Sequence, residues 1–147
     1  MQRSREGWVI DASVANKWYL RDEEFTEQAD SFLTRFRDAS IFAVAPHFSR
    51  HEVASALVVA CAVGRLTWDK GARELDSYLG CGLSLENDPD WLLQDATRMT
   101  LDLHVSFYDA VYLVLAATLR MSLVTADRRL YEAVRQRLPF VHWLGDI

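Results

Sequence analysis

Cysteine, lysine and glycine are all scarce in this chain. Of 147 residues, two are cysteine and six are glycine. Cys61 and Cys81 make neither a disulfide framework nor a zinc site, so a reduced cytoplasmic setting is expected. Cys61 reads as a small buried hydrophobe. The glycines stand singly or as Gly80-Cys81-Gly82, which leaves no glycine-rich loop to cradle a phosphate. No serine sits in the Gly-x-Ser-x-Gly turn that exposes a nucleophile. His47 and His51 are four apart but lack the intervening glutamate of a zinc protease, so they read as a surface pair. No apolar run continues free of charge long enough to span a bilayer; the longest are Val53 to Val63 and Ala110 to Leu119. The start, MQRSREGWVI, has no apolar segment of a leader before Asp11. No membrane partner is expected.

What is present is ordinary for a globular chain: 50% apolar, 25% charged, net charge −5. One domain over residues 1–147 is the simplest reading of that length. The acidity speaks against a surface that grips nucleic acid everywhere, but not against a nuclease whose own site is acidic. Lysine occurs only at Lys17 and Lys70, while arginines gather late, at Arg120, Arg128, Arg129, Arg135 and Arg137. Those arginines read either as a solvated helical face or as a phosphate-contacting rim.

Short apolar runs alternate with helical patterns. Gly7 to Ile10 reads as a first strand ending at Asp11, and Ala12 to Leu20 as a helix. Phe25, Ala29, Phe32, Leu33 and Phe36 fall at i, i+4, i+7, i+8 and i+11, a helix over Glu24 to Phe36. Ile41 to Ala45 is a second strand. Pro46 suits the first turn of a helix that runs to about Gly64. Thr67 caps a helix through Leu79. Gly80 to Leu85 is a weak strand or loop, and Asp88-Pro89 starts a helix through Leu101. Ser106 opens the next helix. Met121 to Thr125 is a strand, Asp127 to Leu138 a helix, and Phe140 to Leu144 an edge strand. Strands that are continuous apolar runs point to a parallel sheet covered on both faces. Trp18, Tyr19, Phe25, Trp68, Trp91 and Trp143 are each read as core residues.

Four acids stand out against this pattern. Asp11 and Asp127 each follow a strand, where open α/β sheets bind ligands, and each also suits an N-cap. Asp109 with Ser106 forms a capping-box pattern before an apolar run, and shares its stripe with Leu113 and Ala116. Glu52 is the only acid on a helix that is apolar nearly all round, which predicts a buried helix. A carboxylate there needs a salt bridge, with Arg50 or Arg120, or a metal. Thr125, two residues before Asp127, is placed to support it. Three or four converging carboxylates suit Mg²⁺ or Mn²⁺, hard cations that prefer oxygen ligands.

The segments VIDASV (Val9 to Val14), HEVASAL (His51 to Leu57), SFYDAVYLVLA (Ser106 to Ala116) and LVTADRRL (Leu123 to Leu130) resemble the PIN-domain family, and within it the VapC-type toxins. They fall in the family's order and cover nearly the whole chain. The resemblance implies a Rossmann-like α/β/α sandwich with a central parallel sheet. It also implies a Mg²⁺- or Mn²⁺-dependent endoribonuclease acting as the toxin of a type II toxin–antitoxin system. Asp11, Glu52, Asp109 and Asp127 match the acidic positions, and Ser13 and Thr125 the supporting hydroxyls. Ser55 departs from an asparagine found in many relatives and loses its paired donor and acceptor. Arg128 and Arg129 are the candidates for RNA phosphate contact. The implied partners are RNA, a cognate antitoxin and a second copy of the chain.

The alternatives are an RNA-processing nuclease with no toxin role, a metal-dependent phosphoryl-transfer or phosphatase domain, and a non-catalytic binding module. A receiver domain needs a lysine near its last strand, and none follows Lys70. A haloacid-dehalogenase-type phosphatase needs an aspartate where Ser13 stands. A binding module gives no reason for carboxylates that repel one another without a cation.

Overall fold

The computed structural model describes residues 5–147; residues 1–4, part of the stretch read above for a leader, lie outside it. Five strands form one sheet: β1 (Glu6–Ile10), β2 (Ile41–Pro46), β3 (Ser84–Glu86), β4 (Ser122–Thr125) and β5 (Val141–Trp143). Their order is β3-β2-β1-β4-β5, and every pairing is parallel. Seven α-helices flank it: α1 (Ala12–Tyr19), α2 (Thr26–Arg37), α3 (Ser49–Ala62), α4 (Trp68–Leu79), α5 (Asp90–Leu103), α6 (Phe107–Leu119) and α7 (Arg128–Val134). This is the α/β/α sandwich that the continuous apolar strands predict. No single helix among the described residues is long and apolar enough to cross a membrane.

The strand order places the site. The chain runs outward from β1 to β2 and β3, then returns to the other side of β1 with β4 and β5. Successive connections therefore leave β1 and β4 in opposite directions, opening a crevice at their carboxyl ends. Register brings Ile10 beside Val124, and the Asp11 N–H donates to the Val124 carbonyl at 3.1 Å. Asp11 and Thr125 thus end neighbouring strands. The helices that follow β1, β2 and β4 start at this edge, as does α6, which leads back into β4.

The α6 helix holds the layers together. Ala110 through Ala116 are all buried. Tyr112, Leu113, Leu115 and Ala116 join the sheet core, while Ala110, Val111 and Val114 meet Leu92 and Ala96 of α5. A helix apolar on every side finds both faces covered, and each large aliphatic contributes about 1.5–3 kcal/mol by burial.

Several expectations are corrected. Pro46 ends β2, paired beside Glu86, and does not open a helix. The ladder continues through the His47 N–H to the Glu86 carbonyl at 2.9 Å, so no hydrogen bond is lost at the proline. His47 therefore precedes α3, and only His51 lies on it; both are exposed. The α3 helix is not buried all round: Val58, Val59 and Val63 are exposed. It ends at a Schellman turn, with Gly64 at φ 81°, its N–H donating to Cys61 and that of Arg65 to Ala60. Trp68 and Trp91 are also exposed, whereas Trp18 and Tyr19 are core. The helix expected to reach Leu138 ends at Val134, and the last strand gives way at Leu144 to a 3₁₀ turn. Thr67 and Ser106 cap as predicted, accepting from the N–H groups of Lys70 and Asp109.

Candidate active site

Asp11 occupies the N-cap position of α1 but does not cap with its side chain. Its backbone carbonyl accepts from Val14 and Ala15, which leaves the carboxylate free to turn into the crevice. There Oδ2 accepts from Ser13 Oγ and from Thr125 Oγ1, both at 2.7 Å. The two hydroxyls in turn accept from backbone: Ser13 from the Ala126 N–H at 2.9 Å and Thr125 from the Asp127 N–H at 3.0 Å. The acid after β1 is therefore bolted to the loop after β4.

The Asp11 side chain is nearly fully enclosed, and burial pushes its pKa up to about 6. The two hydroxyls pull it down, and the charges of Asp109 and Asp127 push it further up. Those contributions show the acids share one electrostatic neighbourhood.

Glu52 stands in the first turn of α3, half-buried. No cation among the described residues bridges it. Instead Tyr112 Oη donates to Oε1 at 2.9 Å and accepts from the Ala12 N–H at 3.2 Å. Burial raises Glu52 to about 7, the tyrosine bond opposes that, and Asp11 and Asp109 add to it. Tyr112 is itself held well above its ordinary pKa by burial, so it remains a donor. The sequence reading passed over this residue. Its one signal was a phenol, which needs a polar partner, inside an otherwise apolar buried helix.

Asp109 lies in the first turn of α6, where its N–H donates to Ser106 Oγ at 3.1 Å. Burial raises its carboxyl, the Ser106 hydroxyl lowers it, and Asp127 raises it. Asp127 caps α7 through Oδ1, which accepts from the Leu130 N–H at 3.1 Å. Asp127 thus caps a helix and also adds its charge to the surroundings of Asp11 and Asp109, whereas at α6 the cap is Ser106 and the Asp109 carboxylate caps nothing.

The acids share a pattern. Asp11, Glu52 and Asp127 each have one carboxylate oxygen held by the protein; the other accepts no hydrogen bond from a described residue. No three histidine, cysteine or carboxylate side chains among the described residues are close-set enough to enclose an ion by themselves. An ion here would keep several waters, as Mg²⁺ does.

The remaining candidates separate. A cavity of about 220 Å³ adjoins Asp109 and Asp127 and is also lined by His104, Ser106 and Arg129. Arg129 forms no ion pair with a described residue. Arg128 points elsewhere, its guanidinium 4.6 Å over the Trp143 ring. Ser55, one turn beyond Glu52, is exposed and bonds to none of the acids. His104, which no motif singled out, ends α5 in the left-handed region at φ 56° and lines this cavity.

Comparison with known proteins bears on the fold and the family. A curated relative, Exonuclease VapC9 of Pyrobaculum aerophilum, is 32% identical over 84 residues, 57% of this chain and 61% of that protein. The chain thus matches less than two thirds of that relative's length. Among solved structures, PAE2754 from Pyrobaculum aerophilum superposes with a TM-score of 0.72 at 21% identity, covering 97% of this chain and 94% of that one. VapC20 of Mycobacterium tuberculosis, a sarcin–ricin loop cleaving toxin, has a TM-score of 0.63 at 11% identity, covering 86% and 95%. VapBC2 from Rickettsia felis, bound to a DNA fragment from its promoter, has a TM-score of 0.63 at 10% identity, covering 93% and 96%. At these identities the structural likeness speaks for the fold alone. The model of the PIN domain matches residues 8–136, the span that contains all four acids, and the chain belongs to the PIN domain family.

Proposed function

We propose that this protein is a Mg²⁺- or Mn²⁺-dependent endoribonuclease and the toxin of a toxin–antitoxin pair. The observation that supports this reading is the mutual electrostatic coupling of Asp11, Glu52, Asp109 and Asp127, three of them with raised proton affinity. Buried carboxylates that repel one another gain most from a divalent cation. The donor set fits a hard ion, since it is oxygen throughout and offers open carboxylate oxygens. Asp11, Glu52, Asp109 and Asp127 would hold it, directly or through water. When bound, such an ion supplies positive charge for a phosphodiester and makes water more acidic.

The chain's own residues do the rest. Ser13 and Thr125 orient Asp11, and Tyr112 orients Glu52. The second carboxylate oxygen of Glu52, which accepts no hydrogen bond from a described residue, is open to take a proton from an attacking water. Arg129 faces the cavity beside Asp109 and Asp127, where a flanking phosphate gains a charged partner. The same proposal includes a cognate antitoxin and a homodimer; the exposed Val58, Val59 and Val63 of α3 support a protein partner.

The test is cleavage of single-stranded RNA with Mg²⁺ or Mn²⁺ by wild type and Asp11→Asn. Wild-type cleavage lost in the variant supports the site, and equal rates overturn it. A circular RNA has no end to digest, so its opening separates an endonuclease from an exonuclease.

A further inference from the structure

Beside the acids stands an exposed aromatic group that the chemistry above does not use. Tyr108 immediately precedes Asp109 and is 58% exposed. Its hydroxyl bonds to no described residue. Its ring lies 5.1 Å from that of Phe48, edge to face, and Phe48 lies 5.5 Å from Tyr112. Tyr108 and Tyr112 are four apart on α6, hence on one face. Phe48 precedes α3 by one residue and Glu52 by four. A ladder of aromatic contacts therefore runs outward from the Glu52 carboxylate, through Tyr112 and Phe48, to Tyr108 at the surface.

We propose that Tyr108, fixed from behind by Phe48, is the seat on which a nucleobase next to the reacting phosphodiester stacks. This rests on the nuclease reading above. Leaving a large ring in water forgoes its burial energy, and T-shaped contacts with Phe48 and Phe107 orient the ring, which still stays more than half exposed. The net charge of −5 makes a general electrostatic grip on a polyanion weak. Stacking is the contact that does not depend on charge, and every base offers a face for it. The cavity with Arg129 and His104 adjoins Asp109 and Asp127, whereas the aromatic ladder adjoins Glu52. A strand crossing the acids thus has both a stacking surface and a guanidinium within the surroundings of Asp109.

The experiment measures anisotropy of a fluorescein-labelled hexa-adenylate with Mg²⁺, in an Asp11→Asn background so that the probe is not consumed. Tyr108→Ala is expected to weaken binding by about 5- to 100-fold, the worth of one stacked base. Tyr108→Trp restores it. Hexa-adenylates carrying one abasic position are bound more weakly by the parent, and for one such position Tyr108→Ala has no further effect. Equal affinity of parent and Tyr108→Ala overturns the proposal, as does failure of the parent to bind the probe. So does an alanine effect that persists at every abasic position. Cleavage by the wild type is scored separately: retained cleavage with Tyr108-independent binding condemns the stacking seat alone, while absent cleavage condemns the nuclease reading.

Discussion

Thr125 Oγ1 donates to Asp11 Oδ2 at 2.7 Å across 114 residues of chain, and accepts from the Asp127 N–H at 3.0 Å. One hydroxyl thereby fixes both the acid after β1 and the loop that carries the acid after β4. Thr125→Val keeps the shape and removes the hydroxyl. It leaves the Asp127 N–H unpaired, at a cost of about 1–3 kcal/mol. Losing a donor also moves the Asp11 pKa further up, so the acid limb of the activity profile shifts to higher pH. Thr125→Ser restores both. A thermal melt and a pH profile of kcat/KM check the two effects.

Without divalent ions, stability is expected to fall as pH rises from about 4 to about 7. Asp11 moves from 3.8 to about 6 on folding, and Glu52 from 4.5 to about 7. Folding raises both values, so the folded state holds more protons in this window, and its advantage is lost as pH climbs through the folded values. For the buried Asp11 the change is on the order of 3 kcal/mol. Melts in EDTA at pH 4.5 and pH 8 measure it. Asp11→Asn flattens the dependence, and Mg²⁺ or Mn²⁺ at pH 8 restores stability. A flat profile for the wild type contradicts the electrostatic picture.

Tyr112→Phe removes the donor to Glu52 and the acceptor for the Ala12 N–H. Two buried polar groups lose their partner, so unfolding by urea is expected to be easier by about 1–3 kcal/mol. Because the bond lowers the Glu52 pKa, its loss raises that pKa and weakens cation binding near neutrality. Unchanged stability and cation affinity together would show that the hydroxyl is idle.

The two neighbouring arginines should behave differently. Arg129→Ala weakens substrate binding and lowers the slope of log affinity against log salt by about 1, the signature of one lost phosphate contact. Arg128→Ala leaves that slope unchanged and costs about 0.5–1 kcal/mol of stability through loss of its place over Trp143. Equal salt slopes for both variants would sink this distinction.

A stability test lies away from the site. A Cβ at Gly71 of α4 collides with Cys61 Sγ of α3. Gly71→Ala is expected to destabilise the chain by about 1–3 kcal/mol. Adding Cys61→Ala opens the space and recovers most of the loss, a coupling read from the double-mutant cycle.

Much of this was legible along the chain. The apolar run Ala110 to Leu119, the strand ends at Asp11 and Asp127, and the caps Thr67 and Ser106 each depend on neighbours within a few residues. Periodicity and capping chemistry act at that range. The roles of Ser106 and Asp127 as caps were visible for the same reason. That Asp109 and Asp127 belong to one site with Asp11 and Glu52 was suggested by their places at strand and helix ends and by the resemblance.

What failed to show was set by long-range contacts. Pro46 joined a strand because β3 supplied a ladder partner that tolerates the missing N–H. The α3 helix is apolar nearly all round, yet no described residue covers Val58, Val59 and Val63, so composition overstated its burial. Tyr112 gained its role, and Thr125 its bond to Asp11, because a parallel sheet brings residues some sixty and more than a hundred positions apart to one edge. Local sequence thus determined which segments are helix or strand and which residue types end them, since those are short-range matters of sterics and hydrogen bonding. The tertiary fold decided which polar side chains meet, because strand order and register alone bring Asp11 and Thr125 side by side.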